Sequence, residues 1–178
     1  MHKEMIIAGF GGQGVLLLGK LLAETGMEEG RHVSWLPSYG PEMRGGTANC
    51  NVVISDDPVG SPIVAEANVL VAMNRPSLEK FQDFLLPESF LLLNSSIIDI
   101  EPERKDVRVL KIPANKIAGD LGLLKIANSV MAGAVIRATN CVSLEAFQSV
   151  LKHTLGAKKA DLLDINIKAL EAGYAVVQ

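Results

Sequence analysis

A doubly wound α/β protein is what this 178-residue sequence predicts, and three observations carry that reading. Short apolar runs that read as buried strands (Met5–Ala8, Asn68–Met73, Phe90–Leu93) alternate with stretches of helical periodicity. Between the first run and the first helix stand Gly9, Gly11 and Gly14, at the G-x-G-x-x-G spacing of a Rossmann-like unit. From Pro113 onward the pattern turns helical. Together these predict a Rossmann-like, mostly parallel sheet with a helical C-terminal part packed on it, in one domain spanning 1–178.

The elements follow in order. After Gly14, apolar Val15, Leu18, Leu21, Leu22 and Met27 alternate with Lys20, Glu24 and Glu28, which makes a helix with one broad apolar face. Gly30 suits the left-handed position past its end. His32–Leu36 reads as the second strand, stopped by Pro37, and the βαβ unit so formed implies parallel strands. Ala48–Ser55 is the third strand, closed by the turn Asp56-Asp57-Pro58. Pro76 fits the first turn of a helix running through Phe81 and Phe84 to Leu86. Val107–Ile112 is a last strand, reached through the charged linker Glu101–Asp106. Helices are expected over Ala114–Leu121, Ile126–Ala138, Leu144–Leu155 and Lys159–Val177, with Asn140 and Gly156 as punctuation and Ser143 as an N-cap.

Composition narrows the function classes. With 48% hydrophobic and 21% charged residues the chain is globular, and its net charge of −3 provides no basic footprint for nucleic acid. No apolar stretch approaches the roughly 20 residues that span a bilayer, and the N-terminus has no signal-peptide pattern, so a cytoplasmic protein is expected. Cys50 and Cys141 lie far apart without a C-x-x-C, which predicts no cluster or zinc site and favours two buried thiols over a lone disulfide, the other reading left open. The three histidines are scattered, and no G-x-S-x-G elbow exists, so no metal and no hydrolase triad is expected.

The candidate binding residues fall in three groups. Gly9, Gly11, Gly12, Gln13 and Gly14 form a turn that lets backbone approach a ligand and presents helix-end N–H groups to an anion. A bare β–α turn that binds nothing has the same pattern. The second strand ends Trp35-Leu36-Pro37-Ser38, with no acid to hold a ribose, which argues against an ordinary NAD-dependent dehydrogenase. The second group is the loop that follows, with Ser38, Tyr39, Gly40, Arg44, Gly45, Gly46 and Thr47. It lies beside the glycine turn, and Arg44 could offer a guanidinium fork to a phosphate or carboxylate. A rigid surface loop with solvated Glu42 and Arg44 is the plainer alternative. The third is Asn128, for which three roles are open: bonding back to the glycine turn, touching a ligand, or capping a helix start. No acid, base or nucleophile is evident in these groups.

The combination Gly9-Phe-Gly11-Gly12-Gln13-Gly14 and Pro37-Ser38-Tyr39-Gly40-Pro41-Glu42-Met43-Arg44-Gly45-Gly46-Thr47-Ala48-Asn49 resembles the gamma subunit of 2-oxoacid:ferredoxin oxidoreductases, in the 2-oxoglutarate and 2-oxoisovalerate branch. Asn74-Arg75-Pro76-Ser77-Leu78 and Ala127-Asn128-Ser129 extend the likeness over essentially the whole chain. The resemblance implies a subunit of an enzyme that decarboxylates a 2-oxoacid on thiamine diphosphate, passes electrons through iron–sulfur clusters to ferredoxin, and forms an acyl-CoA. Alpha and beta chains would hold the thiamine diphosphate, and beta or delta chains the iron–sulfur clusters. This chain would hold no cofactor of its own but shape the interface and the coenzyme A site. It lacks a thiamine motif, since Gly119-Asp120 runs on into Leu121. Alone it would be inactive; a homodimer of the isolated chain is left open. Two readings from other classes stand beside this one: a stand-alone nucleotide- or CoA-binding regulatory module, and a self-sufficient oxidoreductase.

Overall fold

The structure is a computed structural model that describes residues 1–38, 47–156 and 160–178. It holds one six-stranded sheet: β1 (His2–Phe10), β2 (His32–Ser38), β3 (Thr47–Ser55), β4 (Ala67–Ala72), β5 (Leu85–Asn94) and β6 (Arg108–Ile112). The spatial order is β2-β3-β1-β4-β5-β6. β1, β4, β5 and β6 pair in parallel, whereas β3 runs antiparallel to both of its neighbours. The first βαβ unit is therefore corrected in one respect. β1 and β2 do point the same way, but β3 lies between them, so they share no hydrogen bonds.

Among the described residues, six α-helices surround this sheet: α1 (Val15–Glu28), α2 (Arg75–Phe81), α3 (Ala114–Asp120), α4 (Ala127–Thr139), α5 (Leu144–Leu155) and α6 (Ala160–Val176). The two faces are covered unequally. On one face Met5, Ile7, Val52 and Val71 pack with α1 and the α3–α6 layer around Val130, Met131, Phe147 and Leu170. On the other, Ile6, Leu70 and Leu91 meet Leu78 and Phe81 of the short α2, together with Val64 and Ile98 from connecting segments. The alternation of β1 between faces is what a strand period of two requires once both faces are buried.

Several local expectations hold. Gly30 and Asn140 adopt left-handed backbone (φ 76° and 48°) just past α1 and α4. Ser143 Oγ accepts from the Ala146 amide at 3.2 Å and caps α5. Two expectations are corrected. Pro37 does not stop β2, because β2 is the sheet edge and an edge residue can lack an N–H without costing a ladder bond. The helix after Pro76 ends at Phe81 and a single tight turn follows, so Leu85 and Leu86 open β5 instead. Among the described residues no helix is long and apolar enough to cross a membrane.

Candidate functional site

β1 carries the chain into the glycine turn, α1 then leads to β2 on one side, and β4 lies on the other side of β1. The sheet order therefore reverses at the β1–β4 boundary, and open α/β sheets hold their ligands in the crevice beyond such a boundary. The glycine turn sits in that crevice and its geometry is fixed from three sides. Gln13 Oε1 accepts from the Phe10 amide at 2.6 Å, and Gln13 Nε2 donates to the Met73 carbonyl at 3.1 Å. Asn128 Nδ2 donates to the Gly14 carbonyl at 3.4 Å, tying α4 to the start of α1. Of the roles open to Asn128, bonding back to the turn is the one the geometry contains.

Two glycines are required by these contacts. A Cβ at Gly9 would come within 2.8 Å of Met73 Cβ and 2.9 Å of Val15 Cγ1. Gly14, the N-cap of α1, has φ 73°, and a Cβ there would lie 2.8 Å from Asn128 Cγ. Neither position admits a side chain while Gln13 and Asn128 keep their bonds.

Around the turn runs a chain of carboxamides. Asn74 Nδ2 donates to Gln13 Oε1 at 3.4 Å while Asn74 Oδ1 caps α2 by accepting from the Ser77 amide at 2.9 Å. Asn94 Nδ2 bridges the Met73 carbonyl (3.5 Å) and Asn115 Oδ1 (2.7 Å). Asn74 and Asn94 are fully buried, so these bonds satisfy groups that would otherwise be costly. Sequence reasoning missed Asn94, Asn115 and Lys125. A signal was present: two apolar runs, Val69–Met73 and Leu91–Leu93, each end in asparagine.

The cleft bounded by this network holds about 190 Å³ and is lined by Gly12, Gln13, Met73, Asn115, Leu124, Lys125 and Ala127. A second hollow of about 230 Å³ lies on the other side of the turn, against Phe10, Gly11, Leu16, Leu17 and Ala48. The first turn of α1 brings unpaired N–H groups and a partial positive charge to this region. Lys125, from the turn that precedes α4, adds a full one. Such an arrangement attracts a small anionic group.

The loop that completes the predicted site has only its ends described. Ser38, the exposed last residue of β2, pairs with Asn49, and Thr47 pairs with Phe10 at the lip of the glycine turn. Both ends thus stand at the same end of the strands as the turn. Tyr39, Gly40, Arg44, Gly45 and Gly46 lie outside the described residues. The two cysteines are buried free thiols. Cys50 Sγ donates to the Val15 carbonyl at 3.7 Å behind α1, and burial pushes its thiol up to about 12 against a smaller opposing contribution from Trp35. Among the described residues no cluster of His, Cys, Asp and Glu could hold a metal ion.

The fold and site define a class: a Rossmann-like chain whose rigid glycine turn faces a shallow, mildly cationic cleft at the switch point. Residues 4–176 match the family described as pyruvate ferredoxin/flavodoxin oxidoreductase, and the chain belongs to that family. It is 34% identical over 184 residues to the 2-oxoglutarate synthase subunit KorC of Methanocaldococcus jannaschii, covering 100% of this chain and 95% of that one. It is 45% identical over 169 residues to the ketoisovalerate oxidoreductase subunit VorA of Methanothermobacter thermautotrophicus, covering 94% of this chain and 35% of VorA. The chain therefore spans about a third of the length of that relative. The crystal structure of a keto/oxoacid ferredoxin oxidoreductase gamma subunit from Geobacter sulfurreducens matches with a TM-score of 0.83 at 28% identity, over 98% of this chain and 97% of that one. These relatives are named as subunits, and a stand-alone binding module is disfavoured.

Proposed function

We propose that this chain serves as the gamma subunit of a 2-oxoacid:ferredoxin oxidoreductase that oxidatively decarboxylates a 2-oxoacid to an acyl-CoA and passes the electrons to ferredoxin. Alpha and beta chains hold thiamine diphosphate, and beta or ferredoxin-like delta chains hold the iron–sulfur clusters. The present chain contributes shape and charge. Gly9, Gly11, Gly12, Gln13 and Gly14 form the wall of the active-site interface, Asn128 holds that wall to α4, and Ser38, Tyr39, Gly40, Arg44, Gly45, Gly46 and Thr47 contribute to the same binding region. Coenzyme A brings phosphates to the α1 N-terminus, where Lys125 and Arg44 neutralise them.

The observation that carries this reading is the glycine turn locked open at the switch point, with a cleft too small for a whole ligand but the right size for a phosphate-bearing end. The test is kinetic. In the complex co-expressed with its partner chains, Arg44→Ala and Lys125→Ala should each raise the KM for CoA roughly tenfold, about the value of one charge-assisted contact, with kcat little changed. Unchanged KM together with unchanged assembly sinks the assignment of the CoA site.

A further inference from the structure

We infer that β2, together with the sheet face it shares with β3 opposite α1, is the seat of a second, different polypeptide of the complex, one that corresponds to the part of VorA beyond this chain's match. The inference rests on the subunit reading above and adds a surface to it. The starting point is charge. β2 and β3 comprise seven and nine residues and contain no Asp, Glu, Lys or Arg, in a chain where those types make up 21%. Depletion of charge is the compositional mark of an interface core.

Sheet geometry shows where that neutral surface lies. Val33 and Trp35 of β2 and Val52 and Ile54 of β3 face α1. Ser34, Leu36 and Asn51 face the other way, with Leu36 beside Asn51 and Asn51 beside Ile6. α1 is the helix that packs on β2 and β3, and α2, the helix on the opposite side, packs on β1 and β4 instead. Leu36 is consequently 39% exposed. Each face of a sheet is ordinarily buried by another layer; here Val59 and Val64 of the β3–β4 connection cover Val53, while no described helix covers Leu36 and Asn51.

The sheet carries its own comparison. Its other edge, β6, has Arg108 and Lys111 within five residues, the device that keeps an exposed edge from pairing with strangers. β2 has no such guard apart from Pro37 near its end. The guarded edge is left to solvent, and the unguarded one is where a permanent neighbour sits. In VorA about two thirds of the polypeptide lies beyond the match, so a neighbour is covalently attached to the equivalent fold there. A second copy of this chain would offer the same neutral surface, but nothing comparable to that attached length.

The experiment compares Leu36→Arg with Ile63→Arg, a more exposed aliphatic in the connection between β3 and β4, in the co-expressed complex. Leu36→Arg should lower recovery of the assembled complex roughly tenfold or more, because an arginine would be buried without a partner, and Ile63→Arg should not. Hydrogen exchange of the wild-type chain, alone and assembled, gives a second readout that needs no variant: amides of 32–38 should slow on assembly. Normal assembly of Leu36→Arg, equal loss with Ile63→Arg, unchanged exchange, or a homodimer of the isolated chain that Leu36→Arg dissolves each overturns the inference. A wild-type chain that joins no other polypeptide overturns the subunit reading itself.

Discussion

Gln13 reaches from the glycine turn across the sheet's switch point and donates through Nε2 to the Met73 carbonyl at 3.1 Å. Its Oε1 meanwhile holds the Phe10 amide at 2.6 Å, so one side chain closes the turn and clamps it to β4. Gln13→Ala removes both bonds, together with the longer one from Asn74 Nδ2, and leaves Phe10 N–H in a partly buried place without its acceptor, which should cost about 2–3 kcal/mol. Gln13→Glu keeps the acceptor but turns a carboxylate toward the Met73 carbonyl and toward any incoming anion. It should weaken CoA binding more than Gln13→Ala does. Urea unfolding and CoA titration of the assembled enzyme measure the two effects, and a Gln13→Ala variant with an unshifted midpoint would contradict the clamp.

The layer beneath the site depends on two glycines that face each other's helices. A Cβ on Gly133 of α4 would run into the Leu170 carbonyl of α6, and one on Gly173 of α6 would run into the Val130 carbonyl of α4. Backbone cannot yield as a flexible side chain can, so each alanine variant should separate the helices and cost about 3 kcal/mol or more. The pair Ser129 Oγ to Asn166 Oδ1, 2.6 Å and buried, would be stretched by the same movement. Because Asn128 stands on this helix next to Ser129, Gly133→Ala should also loosen the Asn128–Gly14 bond and lower affinity at the cleft. Thermal unfolding of both single variants checks the first effect. A loss under about 1 kcal/mol, or the gain of about 1 kcal/mol that Gly-to-Ala gives at an unobstructed helix position, would show that the helices have room.

How much of this was legible in the sequence depends on whether a feature is local. The glycine turn, the Ser143 cap, the left-handed Gly30, the helix break at Asn140, and a polar Asn128 near the turn are each set by a few adjacent residues and were readable. The insertion of an antiparallel β3 between β1 and β2 was not. Apolar periodicity marks a strand but says nothing of its direction or of its neighbour, which are settled by pairing between distant segments. Pro37 misled for the same reason, since being an edge strand is a property of the whole sheet. Asn94 and Asn115 belong to the site only because β5 and α3 end beside Met73, and their own surroundings in sequence look like an ordinary strand end and helix start.

The thiols give a prediction about reactivity and pH. Burial raises the pKa of Cys141 and takes that of Cys50 up to about 12, from an ordinary value of 9.0. Both side chains are fully buried, so neither should react with a disulfide reagent at pH 8 while the chain is folded, and both should react on denaturation. A group with a raised folded pKa contributes its stability fully below the unfolded value and loses it as pH rises toward the folded one. Stability should therefore decline between about pH 9 and 12, on top of any other alkaline loss, and Cys50→Ser should not flatten Cys141's share. Rapid labelling of native protein at pH 8 would refute the burial of these groups.

Glu88 holds a left-handed backbone, φ 61°, inside β5, close to where the β4–β5 register shifts between Ala67 and Val69. Its amide donates to the Asp106 carbonyl at 2.8 Å, so the unusual conformation brings the charged linker back onto the strand. The side chain itself does little: it is exposed and reaches Arg108 only at 3.6 Å, a surface ion pair of small worth. A left-handed L-residue costs about 1–2 kcal/mol, while glycine in exchange adds about 0.5–1 kcal/mol of unfolded-chain entropy. Glu88→Gly should accordingly be neutral to about 1 kcal/mol more stable, although it removes a strand side chain. Glu88→Val, with the branched Cβ that tolerates this conformation least, should be less stable by about 1–2 kcal/mol, despite valine's preference for strands. Chemical denaturation of the two variants separates the possibilities, because strand propensity alone ranks them the other way round.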